Sequence, residues 1–190
     1  AGRFDEAIVL QRRAVQAGPL FITTRHNLAV WLFMAGRFED ARDELLEMSA
    51  ISKRNDALDD LIGQSTLLMG DYQAALDHAL GLPDGPGREQ TLALAYHALG
   101  RRAESDAALQ KLAASLPDVL AYKVAEVHAY RGEYDAAFDW LRRFAASDPA
   151  GCKRDECWPV AWVPSLPLLQ PLRRDPRWPQ VMTAPTPPAI

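Results

Sequence analysis

The heptapeptide AGRFDEA at residues 1–7 returns as AGRFEDA at residues 35–41, with two neighbouring acids exchanged and a spacing of 34 residues. Self-similarity at a period of this length marks a stack of supersecondary units, each burying its apolar face only against its neighbours. Following the glycine of the heptapeptide gives Gly2, Gly36, Gly70, Gly100 and Gly132, at intervals of 34, 34, 30 and 32. Two residues later stand Phe4, Phe38, Tyr72 and Tyr134, with Arg102 as the exception, and five residues later Ala7, Ala41, Ala75, Ser105 and Ala137. Seven residues before each later glycine sits another small residue, Ala29, Gly63, Ala93 or Ala125.

Each residue type has a physical role in a helix–turn–helix unit. The glycine lets the backbone leave one helix in a conformation that strains any side chain. The two small residues lie on facing helices, where their missing bulk lets the axes approach and the ridges interlock. The aromatic is expected to fill the wedge at the open end of each hairpin. Proline closes units at Pro19, Pro117 and Pro149, because it cannot extend the hydrogen-bond ladder. Between these markers the apolar residues recur at helical spacing, as in AFDWLRRF at 137–144.

The pattern resembles the tetratricopeptide repeat, whose unit is an antiparallel pair of helices, A and B. That resemblance implies an all-α, right-handed superhelical solenoid with a C-terminal capping segment. The array is expected over residues 1–149: a lone B helix at 4–17, then pairs near 22–52, 56–82, 88–116 and 119–147. The cluster GLPDGPG at 81–87 coincides with the four residues lost from the period, so the superhelix is expected to be irregular there. Because residue 1 falls inside a repeat, the chain is expected to be a piece of a longer polypeptide.

Ten of the 14 prolines fall from Pro149 onward, so the repeat stops there. Residues 150–182 are expected to form a Pro-rich cap with short helices, the stretch 166–182 covering the last pair, and residues 183–190 a disordered tail. A narrower resemblance rests on VAEVHAYRGEYDAAFDWLRRF at 124–144 and PLLQPLRRDPRWPQV at 167–181. These are similar to the C-terminal end of tetratricopeptide modules in bacterial multidomain signalling proteins, which implies a regulatory context supplied by another domain. The insert around GCKRDECWPVAW at 151–162 departs from that pattern.

Composition narrows the function classes. The net charge of −4 divides into +2 on residues 150–190, from five basic and three acidic side chains, and therefore −6 on residues 1–149. An acidic array repels phosphate backbones, so nucleic acid is not expected as a ligand. No run of about 18 apolar residues exists to span a membrane, and a cytoplasmic location is expected, or a periplasmic one if an upstream segment carries a membrane span.

No catalytic constellation stands out. The two cysteines, Cys152 and Cys157, have no second pair and no histidine nearby in sequence, so no metal site or cofactor is expected; free thiols and a local disulfide both stay open. His128 occupies a packing position on an A helix, and His78 lies on a B helix. Glu39, Asp40 and Glu44 are expected on the solvated outer side of a B helix.

The resemblance implies instead a binding surface, since the family's A helices line a concave groove at the second, fifth, ninth and twelfth positions of each unit. Those positions hold Thr23, His26, Val30 and Phe33, then Ala57, Asp60, Gln64 and Leu67. The next two units supply Gln90, Leu94 and His97, then Val119, Tyr122, Glu126 and Ala129, with Tyr130 beside them. Apolar anchors among a few polar groups suit a peptide or a helix. Members that bind chaperone C-termini resemble one another in a cationic clamp at the fifth and ninth positions, which this sequence lacks; Asp60 and Glu126 there are expected to repel a two-carboxylate peptide. The expected partner is a protein or peptide, with self-association through the N-terminal edge as the alternative and an enzyme using His26 and His97 as a distant third.

Overall fold

The computed structural model of the chain describes residues 4–51, 56–147 and 162–182. Cys152, Cys157, Pro149, Gly2 and the 183–190 stretch lie outside these, as does the side chain of Ala57. A lone helix α1 (Phe4–Ala17) is followed by four antiparallel pairs. These are α2 (Ile22–Met34) with α3 (Phe38–Ile51), α4 (Asp56–Leu68) with α5 (Tyr72–Leu80), α6 (Pro86–Ala98) with α7 (Arg102–Ser115), and α8 (Ala121–Tyr130) with α9 (Tyr134–Ala145). Each helix packs on its neighbour in sequence, and the A helices α4, α6 and α8 pack on one another, as a solenoid requires.

The glycine of the repeat does what its spacing predicts. Gly36, Gly70, Gly100 and Gly132 all have φ between 74° and 89°, the left-handed region closed to most side chains. At each one the following amide reaches back to the fifth residue before it: Arg37 N to Leu32 O (2.9 Å), Asp71 N to Thr66 O (3.2 Å), Arg101 N to Tyr96 O (2.8 Å) and Glu133 N to His128 O (2.9 Å). This is the Schellman closure, which satisfies carbonyls a helix end leaves unpaired.

The small residues face each other as expected. Ala29, Ala41, Ala75, Ala93, Ala125, Ala137 and Ser105 are fully buried. Ser105 Oγ donates to the carbonyl of Ala93 at 2.6 Å, which puts the third pair's two small residues in direct contact. Gly63 serves the next interface: a Cβ there would lie 2.8 Å from both Oγ1 and Cγ2 of Thr91 on α6. The aromatic position corrects the expectation in part. Phe38 packs edge-on against Phe33 at 5.7 Å, but Tyr72 and Tyr134 are 36% and 39% exposed. Their polar hydroxyls suit this partly exposed setting better than a buried wedge.

The irregularity at 81–87 takes the form of a short α5 of nine residues and a turn that ends with Pro86 at the start of α6, where its missing amide costs nothing. On the outer side, Glu39 is exposed, whereas Asp40 pairs with Arg37 and with Arg12 (3.5 Å), and Glu44 with Arg25 (3.0 Å). Arg25 also reaches Glu47 (2.7 Å), so these charges tie α2 to α3 besides facing solvent.

Past the repeats, a 3-10 turn at Val163–Ser165 runs into a 3-10 helix at Pro167–Arg174 and a short α10 (Trp178–Met182). The Pro167–Arg174 helix packs on α8 and α10 on α9. Leu168 and Leu169 are buried and Trp178 is partly so, packed on the core. Arg177 anchors this end by pairing with Asp135 of α9 (2.7 Å) and with Asp175 (2.8 Å).

Candidate functional site

Most of the A-helix positions expected to line a concave groove are closed to solvent. Val30 and Phe33 of α2, Leu67 of α4, Leu94 of α6, and Tyr122 and Ala129 of α8 are core residues. Tyr122 stacks edge-on against Phe144 of α9 at 5.4 Å, so its ring belongs to the packing of the last pair. Thr23 is exposed, and His26, His97, Val119 and Tyr130 are each partly exposed. His97 and Tyr130 meet edge-on at 5.9 Å. Burial, aided by the nearby Arg131 guanidinium, holds His97 below its ordinary range. His26 and His97 stand on α2 and α6, different repeats of the array.

Between α4, α6 and α8 the row becomes a buried polar layer. Asp60, Gln64, Gln90, Lys123 and Glu126 are each at most 7% exposed. Lys123 Nζ pairs with the carboxylate of Asp60 across 63 residues of sequence and donates to Gln90 Oε1 at 3.1 Å. Gln64 Nε2 donates to Asp60 Oδ1 at 2.9 Å, and Gln90 Nε2 to Glu126 Oε2 at 2.7 Å. Buried charge is tolerated only when paired in this way. Burial disfavours the Lys123 ammonium, yet Asp60, Tyr122 and Glu126 around it hold its pKa above the usual lysine range.

Glu126 follows a different logic. The layer's one cation already faces Asp60, so burial pushes the Glu126 carboxyl up to about 8, against the opposing pull of Lys123 and Gln90. Its Oε1 has no hydrogen-bond partner among the described residues. The layer is therefore electrically balanced at neutral pH: one ion pair, two amides and a neutral acid. Asp60 and Glu126 do not present the free negative charge expected of them, because one is neutralised by Lys123 and the other retains its proton.

This balance has a measurable consequence. Folded Glu126 keeps its proton to about pH 8, while the unfolded chain releases it near the ordinary value of 4.5. The folded state thus binds more protons across that window, and stability is expected to fall as pH rises through it. Glu126→Gln keeps the shape and the acceptor for Gln90. Its urea unfolding, measured from about pH 5 to about pH 9, is expected to show a flatter pH profile and a gain at the alkaline end. Parallel profiles for the two proteins would mean that Glu126 is ionised throughout.

Lys123 is the residue that sequence reasoning missed, because it stands one place beyond the concave fifth position. Its only local signal is Glu126 one turn later. The other histidines are accounted for by structure: His128 Nδ1 lies 2.7 Å from the Glu133 carboxylate, and His78 Nε2 lies 3.0 Å from the Asp59 carbonyl. Among the described residues no group of three or more His, Cys, Asp or Glu is placed to hold a metal ion. No described helix is long and apolar enough to cross a membrane.

Comparison with known proteins gives a family match for one stretch: residues 21–55, covering α2 and α3, match the family described as Tetratricopeptide repeat. No curated protein matches the chain. This match supports a tetratricopeptide-type all-α solenoid for the array of helix pairs, a fold that generally mediates protein–protein interaction.

Proposed function

We propose that the chain is a non-catalytic interaction module that takes a peptide or helix of another protein at its concave groove, within a larger bacterial regulatory protein that works in the cytoplasm. The observation that supports this reading is that His26, His97 and Tyr130, all on A helices, stay partly exposed, with His97 and Tyr130 meeting edge-on at 5.9 Å. The regulatory context rests on the resemblance of residues 124–144 and 167–181. The test compares capture of partner proteins by the full chain, by a His26→Ala/His97→Ala/Tyr130→Ala variant and by a Glu39→Ala/Asp43→Ala variant of the outer side. A partner lost about tenfold by the triple variant alone supports the groove, on the scale of a few contact residues. A partner lost only by the outer variant moves the site to the convex face.

One observation favours a second reading, self-association through the N-terminal edge. Leu10, Leu20 and Phe21 are 64%, 81% and 69% exposed and stand with Val9 and Ile22 on α1 and the turn into α2, while Ala14 is exposed and Ala7 half-buried. An exposed apolar cluster of this kind is adhesive. Light scattering over a concentration series is expected to show a size increase that Leu10→Lys/Phe21→Lys abolishes; a size independent of concentration removes this reading.

A further inference from the structure

The segment at residues 162–174 touches both the first and the last complete pair. Trp162 stacks on Trp31 of α2 with ring centroids 4.9 Å apart, and Trp31 in turn meets Phe4 of α1 at 6.1 Å. Five residues later the Pro167–Arg174 helix begins, and it packs on α8. Five residues span at most about 18 Å when fully extended. A cap on the end of the array would touch only the last pair, whereas this segment passes from the first complete pair to the last. It therefore bridges α2 and α8, the A helices of the first and last complete pairs.

Its sequence explains how it lies there. Val163, Leu166, Leu169 and Leu172 are each at most 1% exposed and recur every third residue. Three residues per turn is the period of a 3-10 helix, so Leu169 and Leu172 share one edge of the Pro167–Arg174 helix, while Leu166, in an extended conformation, joins it to the Val163–Ser165 turn. Gln170, Pro171, Arg173 and Arg174 face solvent. Pro164, Pro167 and Pro171 supply no amide donors, so the segment has little helical stability of its own. Arg173 donates to the segment's own Pro164 carbonyl at 3.1 and 2.5 Å, shaping the strand of turns from outside. What holds the segment is its apolar side chains, packed on α8 and into the shared core, the way a bound peptide is held.

We propose that residues 162–174 are a built-in occupant of the concave groove, and that the partner is a protein segment of the same chemistry. Such a segment carries an aliphatic residue at every third position, prolines between them and an aromatic at its N-terminal end, and it binds by taking the built-in segment's place. The inference deepens the interaction reading above and rests on it. Replacement also sets the partner's minimum requirement, because displacing four buried side chains demands that the newcomer bury an equivalent stripe.

The test uses the full chain and two synthetic peptides: WVPSLPLLQPLRR, matching residues 162–174, and a scrambled peptide of the same composition with the three-residue spacing broken. The tethered segment competes at high effective concentration, so the matching peptide is expected to bind Trp162→Ala about tenfold tighter than the wild type. In wild-type protein, hydrogen exchange read by mass spectrometry needs no variant: excess matching peptide is expected to raise exchange over residues 166–172 while α2 and α8 stay protected. Equal binding of matching and scrambled peptides overturns the proposal, as does a matching peptide that binds neither protein or binds and leaves residues 166–172 protected. If that happens while a captured partner still depends on His26, His97 and Tyr130, the interaction reading stands and the built-in occupant does not.

Discussion

Lys123→Met is expected to destabilise the chain by about 3–5 kcal/mol, the cost of removing one member of a buried ion pair. The side chains of Lys123 and Asp60 are only 7% and 9% exposed, so water cannot replace the lost ammonium. Gln64 can still donate to Asp60 Oδ1, but a single amide bond does not offset an uncompensated carboxylate in a desolvated layer. The loss spreads across the array because the pair joins α4 to α8, two helices that neither sequence nor hairpin connects. Urea unfolding measures it directly. Adding Asp60→Asn to Lys123→Met removes the orphaned charge and is expected to restore much of the stability, which separates a charge effect from a packing effect. A loss below about 1 kcal/mol for Lys123→Met would place the pair in contact with water, with the strength of a surface ion pair.

The repeat was legible because its determinants are local. A left-handed turn needs glycine at one position, and two close helices need small residues at two, so Gly36, Gly70, Gly100 and Gly132, and Ala29 with Ala41, announce the pairs by spacing alone. The candidate site was legible only as a row of positions. What those positions meet depends on contacts between residues far apart, such as Asp60 and Lys123, 63 apart, and no periodicity encodes which distant residues meet. Tyr122 illustrates the difference: its position puts it in the groove row, while the ring it faces is Phe144 of the next helix.

The C-terminal segment shows a subtler limit. Its apolar residues were visible as spacing fit for short helices, yet the period over Val163, Leu166, Leu169 and Leu172 is three and not 3.6. Read as an α-helix, those positions drift around the axis and suggest a cap with several faces. In the structure they sit on a 3-10 turn, an extended residue and a 3-10 helix in succession, with Leu169 and Leu172 on one edge of the last. The prolines that ended the repeat pattern are the same residues that keep this stretch from being an α-helix.

Leu169→Ala combined with Leu172→Ala is expected to cost about 4 kcal/mol or more, since a single fully buried leucine truncated to alanine costs about 2–5 kcal/mol and neighbouring sites need not add. Both leucines are fully buried in the shared core. Where the loss appears along the chain is more informative than its size. If the segment only capped the last pair, hydrogen exchange would quicken in α8 and α9 and leave the first pair unchanged. A segment that bridges α2 and α8 also supports Trp31 through Trp162, so α2 is expected to lose protection together with α8, ahead of α5 and α7 on the outer side. The matching peptide added in trans is expected to return part of the lost stability, because a ligand that binds only the folded chain stabilises it by mass action. Loss of protection confined to α8 and α9, with no recovery on adding peptide, would reduce residues 162–174 to an end cap and leave the groove without an occupant from this chain.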